Sequence, residues 1–379
     1  MFQYQLNHRF FAQVPEGVEE LAGHELMELG AERVQASYRG VYFDAGKDDL
    51  YRINYGARLT TRVLAPLITF RCHSSDTLYK KSKEIPWEEF FTADHTFAVF
   101  ANVTHSKIRH SQYAALRLKD AVVDSFRDRF GRRPSVKKTD PDVWIGLYVE
   151  SDNATVSLDT SGGSLHRRGY REEGGQAPMQ EITAAAVIRL SEWDGSKPLY
   201  DLMCGSGTLL SEALMAYCRI PGSYRRERFG FQFLPDYDEP LWLAVKKEAD
   251  GAMRKPARGL ISGSDIAEEA VALARKNITD LPYGDRVGLE VADFRTIPEL
   301  RGRVILCNPP YGIRLDRDRD LGPFYRDLGD FFKQRCLGSS AFVYFGNREW
   351  IAHIGLKPSW KKVLKSGGLD GRLVKYEVY

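Results

Sequence analysis

This sequence of 379 residues has few cysteines: Cys72, Cys204, Cys218, Cys307 and Cys336, with no two at C-x-x-C spacing. An odd, scattered set argues against a disulfide framework and a thiolate zinc site, and fits a reducing compartment. No apolar run approaches the roughly 18 residues that a spanning helix needs. The opening MFQYQLNHRF lacks the basic-then-apolar order of a secretory leader, so a cytoplasmic location is expected. Internal repeats and low-complexity segments are missing as well. So is any large excess of one charge: the formal net charge is only +3, and nucleic-acid binding has to be argued from where the charges lie.

Hydrophobic residues make up 43% and charged residues 28%, enough apolar surface for real cores. The length suits two or three domains. In the first sixty residues RFFAQVP alternates as a strand, GVEELAGHELMELG has helical periodicity, and RVQASYRGVYFDAG reads as two strands about a turn. KDDLYRINYGARLTTRVLAPL is then helix-like and leads into the following unit. From 65 to 165 the elements are mixed. A helix is interrupted at Pro86, TFAVFANVTH is a strand, SQYAALRLKDAVVDSFRDRFG is a long amphipathic helix closed by Gly, and DVWIGLYVESDNATVSLDTSG is a strand pair. LHRRGYREEGGQAPMQ (165–180) reads as a charged, Gly-rich linker.

After it the pattern changes to strands alternating with helices: PLYDL, GLISGSD, RVGLEVAD, RVILC and SAFVYFGN. That order implies an open, mostly parallel sheet with helices on both faces. The closing WKKVLKSGGLDGRLVKYEVY reads as a hairpin turning on Gly367–Gly368, which makes the last strand antiparallel.

DLMCGSGTLLSEAL (201–214) joins the first of these strands to a helix. Asp201 ends the strand, and Gly205 and Gly207 let the backbone turn tightly toward a ligand. A dinucleotide fingerprint would have Gly where Leu210 stands, which excludes a nicotinamide oxidoreductase. Asp265 ends the second strand, where a carboxylate commonly accepts from ribose hydroxyls. Asp293 ends the third beside Phe294, a pair suited to an adenine amino group and ring face. Capping a helix is the plain alternative for either Asp. Three successive strand ends each delivering a carboxylate favour a nucleotide-like ligand.

ILCNPPYG (305–312) ends the fourth strand. Pro309 and Pro310 fix φ near −65° and donate no N–H, and Pro309 drives Asn308 out of the helical region. The result is a rigid projection with two free acceptors, the Asn308 side-chain oxygen and the Pro309 carbonyl. Two converging acceptors hold a planar exocyclic amine and aim its lone pair, while Tyr311 can stack on the base. Such a base is unpaired or flipped out. A sulfonium methyl donor needs only positioning, at roughly 3–3.5 Å, without metal or covalent nucleophile. Cys307 reads as a buried strand residue.

Together, DLMCGSGTLLSEA, GSDIAEEAVALARKN, VADF and NPPYG resemble the S-adenosylmethionine-dependent N-methyltransferases, and the wider pattern resembles the THUMP-domain 23S rRNA guanine-N2 methyltransferases. HRRGYREEGGQAPMQEITAAAV (166–187) strengthens the likeness. The resemblance implies a ferredoxin-like unit (1–64), an α+β THUMP RNA-binding domain (65–165) and a Rossmann-like class I methyltransferase domain (166–379) whose seven-stranded sheet has its last strand antiparallel. It implies S-adenosyl-L-methionine as cofactor and no metal. Asp201, Gly205 and Gly207 would hold its methionine part with Ser206 and Thr208 beside them, Asp265 and Ile266 the ribose side, and Asp293 with Phe294 the adenine. Asn308 would serve both ligands, and with Pro309, Pro310 and Tyr311 would receive the base. The family usually has Pro where Leu202 stands.

RNA, most of all 23S rRNA, is the partner implied, with no membrane; the oligomeric state is left open. From Ala101 to Thr139 ten Lys/Arg face three Asp/Glu. RIPGSYRRERFGF interleaves Arg219, Arg225, Arg226 and Arg228 with Tyr224, Phe229 and Phe231, a composition that can grip phosphates and stack bases. The rivals are a methyltransferase acting on tRNA guanine, one acting on adenine N6, and a non-catalytic RNA-binding assembly factor.

Overall fold

The computed structural model describes residues 1–108, 110–171, 179–311, 320–366 and 369–379. The chain divides into two compact units. The first comprises Met1–Val14, Ala22–Leu165 and Arg226–Lys247, so a segment far along the sequence returns to it. In chain order it carries α1 (Gln3–Asn7), β1 (Arg9–Gln13), most of α2 (Glu19–Glu28), β2 (Glu32–Ser37), β3 (Gly40–Asp44), α3 (Lys47–Gly56), β4 (Arg62–Arg71), α4 (Ser75–Lys83), β5 (Thr96–Thr104), α5 (Ser111–Phe130), β6 (Ser135–Val136), β7 (Val143–Glu150) and β8 (Asn153–Asp159). The strands form one sheet in the order β2-β3-β1-β4-β8-β7-β5-β6. The boundary expected at residues 64–65 falls inside β4, which pairs with both β1 and β8.

The helical reading of 47–67 holds only to Gly56. RVLAPLITFR is β4, and Pro66 is accommodated within it. β1 pairs only with Arg62–Leu64, and the register against β8 shifts between Pro66 and Ile68, so the missing amide falls where no regular ladder needs it. The long helix is as read. In α5, Ala114, Leu118, Ala121, Val122 and Phe126 are buried along one face, and Gly131 closes it at φ +66° with its amide donating to the Arg127 carbonyl.

The second unit comprises Pro15–Leu21, His166–Arg225 and Glu248–Tyr379. It holds α6 (Glu181–Leu190), β9 (Leu199–Asp201), α7 (Thr208–Cys218), the end of α8 (Glu239–Gly251), β10 (Ile261–Asp265), α9 (Glu268–Thr279), β11 (Gly288–Val291), β12 (Val304–Cys307), α10 (Gly322–Arg335), β13 (Ser340–Phe345), β14 (Trp360–Val363) and β15 (Arg372–Glu377). The sheet order is β11-β10-β9-β12-β13-β15-β14, with β9 to β13 parallel and β15 antiparallel to both neighbours. The strand order reverses between β9 and β12, which opens a crevice at their carboxyl ends. All four residues of β12 are buried, as a central strand covered on both faces requires. The Gly367–Gly368 turn lies outside the described residues. No helix among the described residues is long and apolar enough to cross a membrane.

The stretch expected to be a linker is fastened at its start. Arg168 and Tyr170 are buried, and Glu212 of α7 takes a hydrogen bond from each, at 3.3 and 3.1 Å. Residues 172–178 lie outside the described ones.

Candidate active site

Strands end at the crevice, and their next residues line one cavity of about 810 Å³. Asp201, Gly205, Ser206 and Thr208 line it from the β9–α7 turn, Asp265 and Ile266 from β10, Asp293 and Phe294 from beyond β11, and Asn308, Pro309, Pro310 and Tyr311 from beyond β12. Gly207, between Ser206 and Thr208, supports the loop from behind.

The glycine loop is built by backbone freedom and one carboxylate. Gly205 and Gly207 have φ +50° and +81°. A Cβ on Gly207 would come within 3.0 Å of Ala274 and Ile278 on α9, so a side chain there would push the loop off its supporting helix. Asp265 holds the loop: one oxygen accepts from the Gly205 amide at 2.9 Å, the other from the Ala267 amide at 3.0 Å. Thr208 opens α7, and its hydroxyl accepts from Arg171 at 2.6 Å. Ile266 offers a largely exposed apolar side chain to the cavity, which suits a heterocycle face.

Asp201 is 1% exposed. Its Oδ1 accepts from the Met203 amide at 3.2 Å, while Oδ2 is buried with no partner. Burial, with the charge of Asp265 adding, raises its carboxyl to a pKa of about 7. A buried carboxylate oxygen left open beside a cavity is matched by an ammonium group, and the methionine part of S-adenosylmethionine carries one.

Asp293 caps the short turn Phe294–Thr296, and its Oδ1 accepts from the backbone and side chain of Arg295. The capping role weighed from the sequence is therefore met, by one oxygen of a residue that also faces the cavity. Phe294 lines the cavity as a wall: it is 5% exposed and packs edge-on to Phe324 and Phe331, leaving little ring face open.

The Asn-Pro-Pro-Tyr stretch is corrected in one respect. The Asn308 oxygen is not free: the Tyr311 hydroxyl donates to it. The Tyr311 ring lies on Gly346, where a Cβ would approach to 2.6 Å, and meets Tyr344 edge-on at 6.0 Å. Burial raises its phenol far above the ordinary range, so it remains a donor. The Pro309 carbonyl has no donor among the described residues. Gly312 lies outside them. Cys307 is buried and its thiol is pushed well above its usual pKa, as a strand residue and not a nucleophile would be.

Residues not singled out in the sequence also face the cavity, among them Gln180 at the start of α6, Glu269 on α9, Tyr344 on β13, and Ser366 and Leu369 from the final hairpin. No local pattern marks them, since only the sheet order brings them there. The arginine-aromatic loop is partly committed to other contacts within the described residues. Phe229 and Phe231 are core, Arg226 donates to the carbonyls of Ser161, Gly162 and Ser164, Arg228 pairs with Asp140 and Asp142, and Arg225 with Asp280. In the 101–139 stretch five of the ten cations, Arg117, Lys119, Arg127, Arg129 and Arg132, are in ion pairs.

The sequence pattern of the RMKL-like methyltransferase domain matches residues 168–375, more than half of the chain. The chain belongs to that family. The THUMP domain pattern matches 72–159 and that of the RlmL ferredoxin-like domain 9–64. Slr0064 of Synechocystis, provisionally named an RNA methyltransferase, is 39% identical over 98% of this chain and 97% of its own. Ribosomal RNA large subunit methyltransferase K/L of Syntrophotalea carbinolica is 38% identical over 98% of this chain and 53% of its own, so the chain spans about half the length of its K/L relatives. The structure of SMU.472 complexed with S-adenosylhomocysteine is similar at TM-score 0.86 and 28% identity, over 98% of both chains. This RMKL-like chain is thus an S-adenosylmethionine-dependent methyltransferase, and the α/β fold with THUMP and ferredoxin-like parts is the one expected.

Proposed function

We propose that this RMKL-like methyltransferase modifies the exocyclic amino group of a base in RNA, with guanine N2 of 23S rRNA as the first substrate to test. The observation that carries the reading is the meeting, in one cavity, of the glycine loop, the strand-end carboxylates and the Asn-Pro-Pro-Tyr stretch. S-adenosylmethionine supplies a methyl group already activated on sulfur.

The chain's own task is placement. Asp201, Gly205, Ser206, Gly207 and Thr208 are assigned the methionine end, Asp265 and Ile266 the ribose side, and Asp293 with the Phe294 wall the adenine. Asn308 and the Pro309 carbonyl are assigned the amine. An amide oxygen has two lone pairs, so Asn308 can keep the Tyr311 hydroxyl and accept from the base as well. Tyr311 then orients Asn308 in addition to bounding the base pocket. The K/L relatives' name favours large-subunit rRNA over other nucleic acids. A second reading, adenine N6, draws on a structure named as a predicted N6-adenine-specific DNA methylase from Listeria monocytogenes, at TM-score 0.85 and 25% identity.

The test offers methyl-labelled S-adenosylmethionine with deproteinised, unmodified 23S rRNA, tRNA or duplex DNA, followed by digestion to nucleosides. Label in N2-methylguanosine from rRNA is expected. Label in N6-methyladenine replaces the base assignment, label from tRNA alone replaces the partner, and cofactor binding without transfer to any substrate favours an RNA-binding assembly factor.

A further inference from the structure

A stack of three rings lies behind the Asn-Pro-Pro-Tyr stretch, drawn from three elements. Phe345 ends β13, Tyr325 belongs to α10, and Trp350 to the short helical segment Arg348–Ile354. Tyr325 stacks on Phe345 at 5.6 Å and on Trp350 at 5.5 Å, the latter with planes only 6° apart. Buried Tyr and Trp need partners for their polar tips. The Tyr325 hydroxyl donates to the Pro310 carbonyl at 2.8 Å, and the Trp350 indole N–H to the Tyr311 carbonyl at 3.3 Å. These two carbonyls are successive, and the one before them, on Pro309, receives no hydrogen bond from the described residues.

The chemistry of proline gives this arrangement a purpose. Neither Pro309 nor Pro310 has an N–H, so at these two residues the stretch cannot be anchored through amides. There it is fixed through its acceptors, by donors from elsewhere. Tyr325 and Trp350 are such donors, and neither lines the cavity.

We infer that Tyr325 and Trp350 are positioning residues for methyl transfer: by holding the Pro310 and Tyr311 carbonyls they direct the Pro309 carbonyl and the Asn308 side chain at the incoming amine. The inference rests on the reading under Proposed function for its catalytic consequence, and on the hydrogen bonds alone for its structural one.

The test uses the full chain with Tyr325→Phe, Trp350→Phe, Asn308→Ala and the Tyr325→Phe/Asn308→Ala pair. Each Phe variant keeps an aromatic ring and removes the donor. Tyr325→Phe is expected to lower kcat by about tenfold, the scale of one lost hydrogen bond, with cofactor Kd unchanged. In the Asn308→Ala background the same change is expected to cost less than in wild type, because part of its effect passes through that side chain and only the part through the Pro309 carbonyl remains. Hydrogen–deuterium exchange in the peptide covering 304–311 is expected to speed up, with 199–209 unaffected. Unchanged kcat and exchange, or a loss of cofactor affinity in step with thermal stability, would overturn the inference and leave the stack as ordinary core. Should the wild-type chain transfer methyl to no nucleic acid, the functional reading fails, and exchange alone decides: faster exchange upholds the clamp and unchanged exchange rejects it.

Discussion

The two loops that meet in the cavity are built on opposite principles. The β9–α7 loop relies on glycines: φ is positive at Gly205 and Gly207, and Asp265 anchors the loop through an amide. The loop after β12 relies on prolines: φ is fixed, amides are missing, and outside donors reach its carbonyls. The first arrangement suits a large ligand that needs close backbone approach. The second suits a small polar group that must be met by acceptors at set angles. Changes in one loop should therefore appear in cofactor affinity, and changes in the other in turnover.

The sharpest way to break that division is at its two anchors. Asn308→Ala removes an acceptor assigned to the amine and is expected to lower kcat by on the order of 10² or more, and, since Asn308 is also expected beside the cofactor, to raise cofactor Kd by much less in calorimetry. A parallel loss of cofactor binding would mean that the loops are not separable. Asp265→Asn weakens the hold on the Gly205 and Ala267 amides and is expected to raise cofactor Kd by about tenfold to a hundredfold, since hydrogen bonds to charged groups are worth roughly 1.5–3 kcal/mol. Its kcat at saturating cofactor should change far less.

The same contrast explains what could be read from the chain. Strand ends carrying Asp201, Asp265, Asp293 and Asn308 are legible because apolar runs stop at them and strand ends are where open sheets bind ligands. The parts that escaped depend on partners distant in sequence. Arg62–Leu67 reads as more helix until β1 and β8 are there to pair with it. Arg226 looks like a phosphate grip until the carbonyls of Ser161, Gly162 and Ser164 are found to occupy it. Tyr325 looks like one more apolar residue on the buried face of α10, and only the fold shows where its hydroxyl goes. The occupied Asn308 oxygen follows from a ring that Gly346 seats, and nothing in NPPYG announces Gly346.

Gly346 sharpens the comparison from the side of packing. Gly346→Ala places a methyl 2.6 Å from the Tyr311 ring and forces that ring to move. Overpacking of this kind costs about 1–3 kcal/mol. The variant is expected to melt several degrees lower in a thermal scan and to lose turnover, while its cofactor Kd stays near wild type. A wild-type kcat would show that the seat of Tyr311 has no part in receiving the base.

The cofactor loop can also be broken through its proton. Buried Asp201 has a folded-state pKa of about 7, against roughly 3.9 for an unperturbed Asp. An acid with a raised folded-state pKa holds its proton more tightly when folded, so its favourable contribution is complete below about pH 4 and is lost as pH climbs to about 7. The full span is roughly 4 kcal/mol at most. Asp201→Asn cannot lose that proton, so the difference in melting temperature between variant and wild type should move in the variant's favour from pH 4 to pH 8. Cofactor binding should show the opposite trend. The ammonium assigned to Asp201 needs the carboxylate, so wild-type affinity should rise between pH 6 and pH 8, and the variant should be weaker and flatter over that range. Stability and affinity moving together with pH would separate Asp201 from the methionine end and leave the glycine loop to hold it alone.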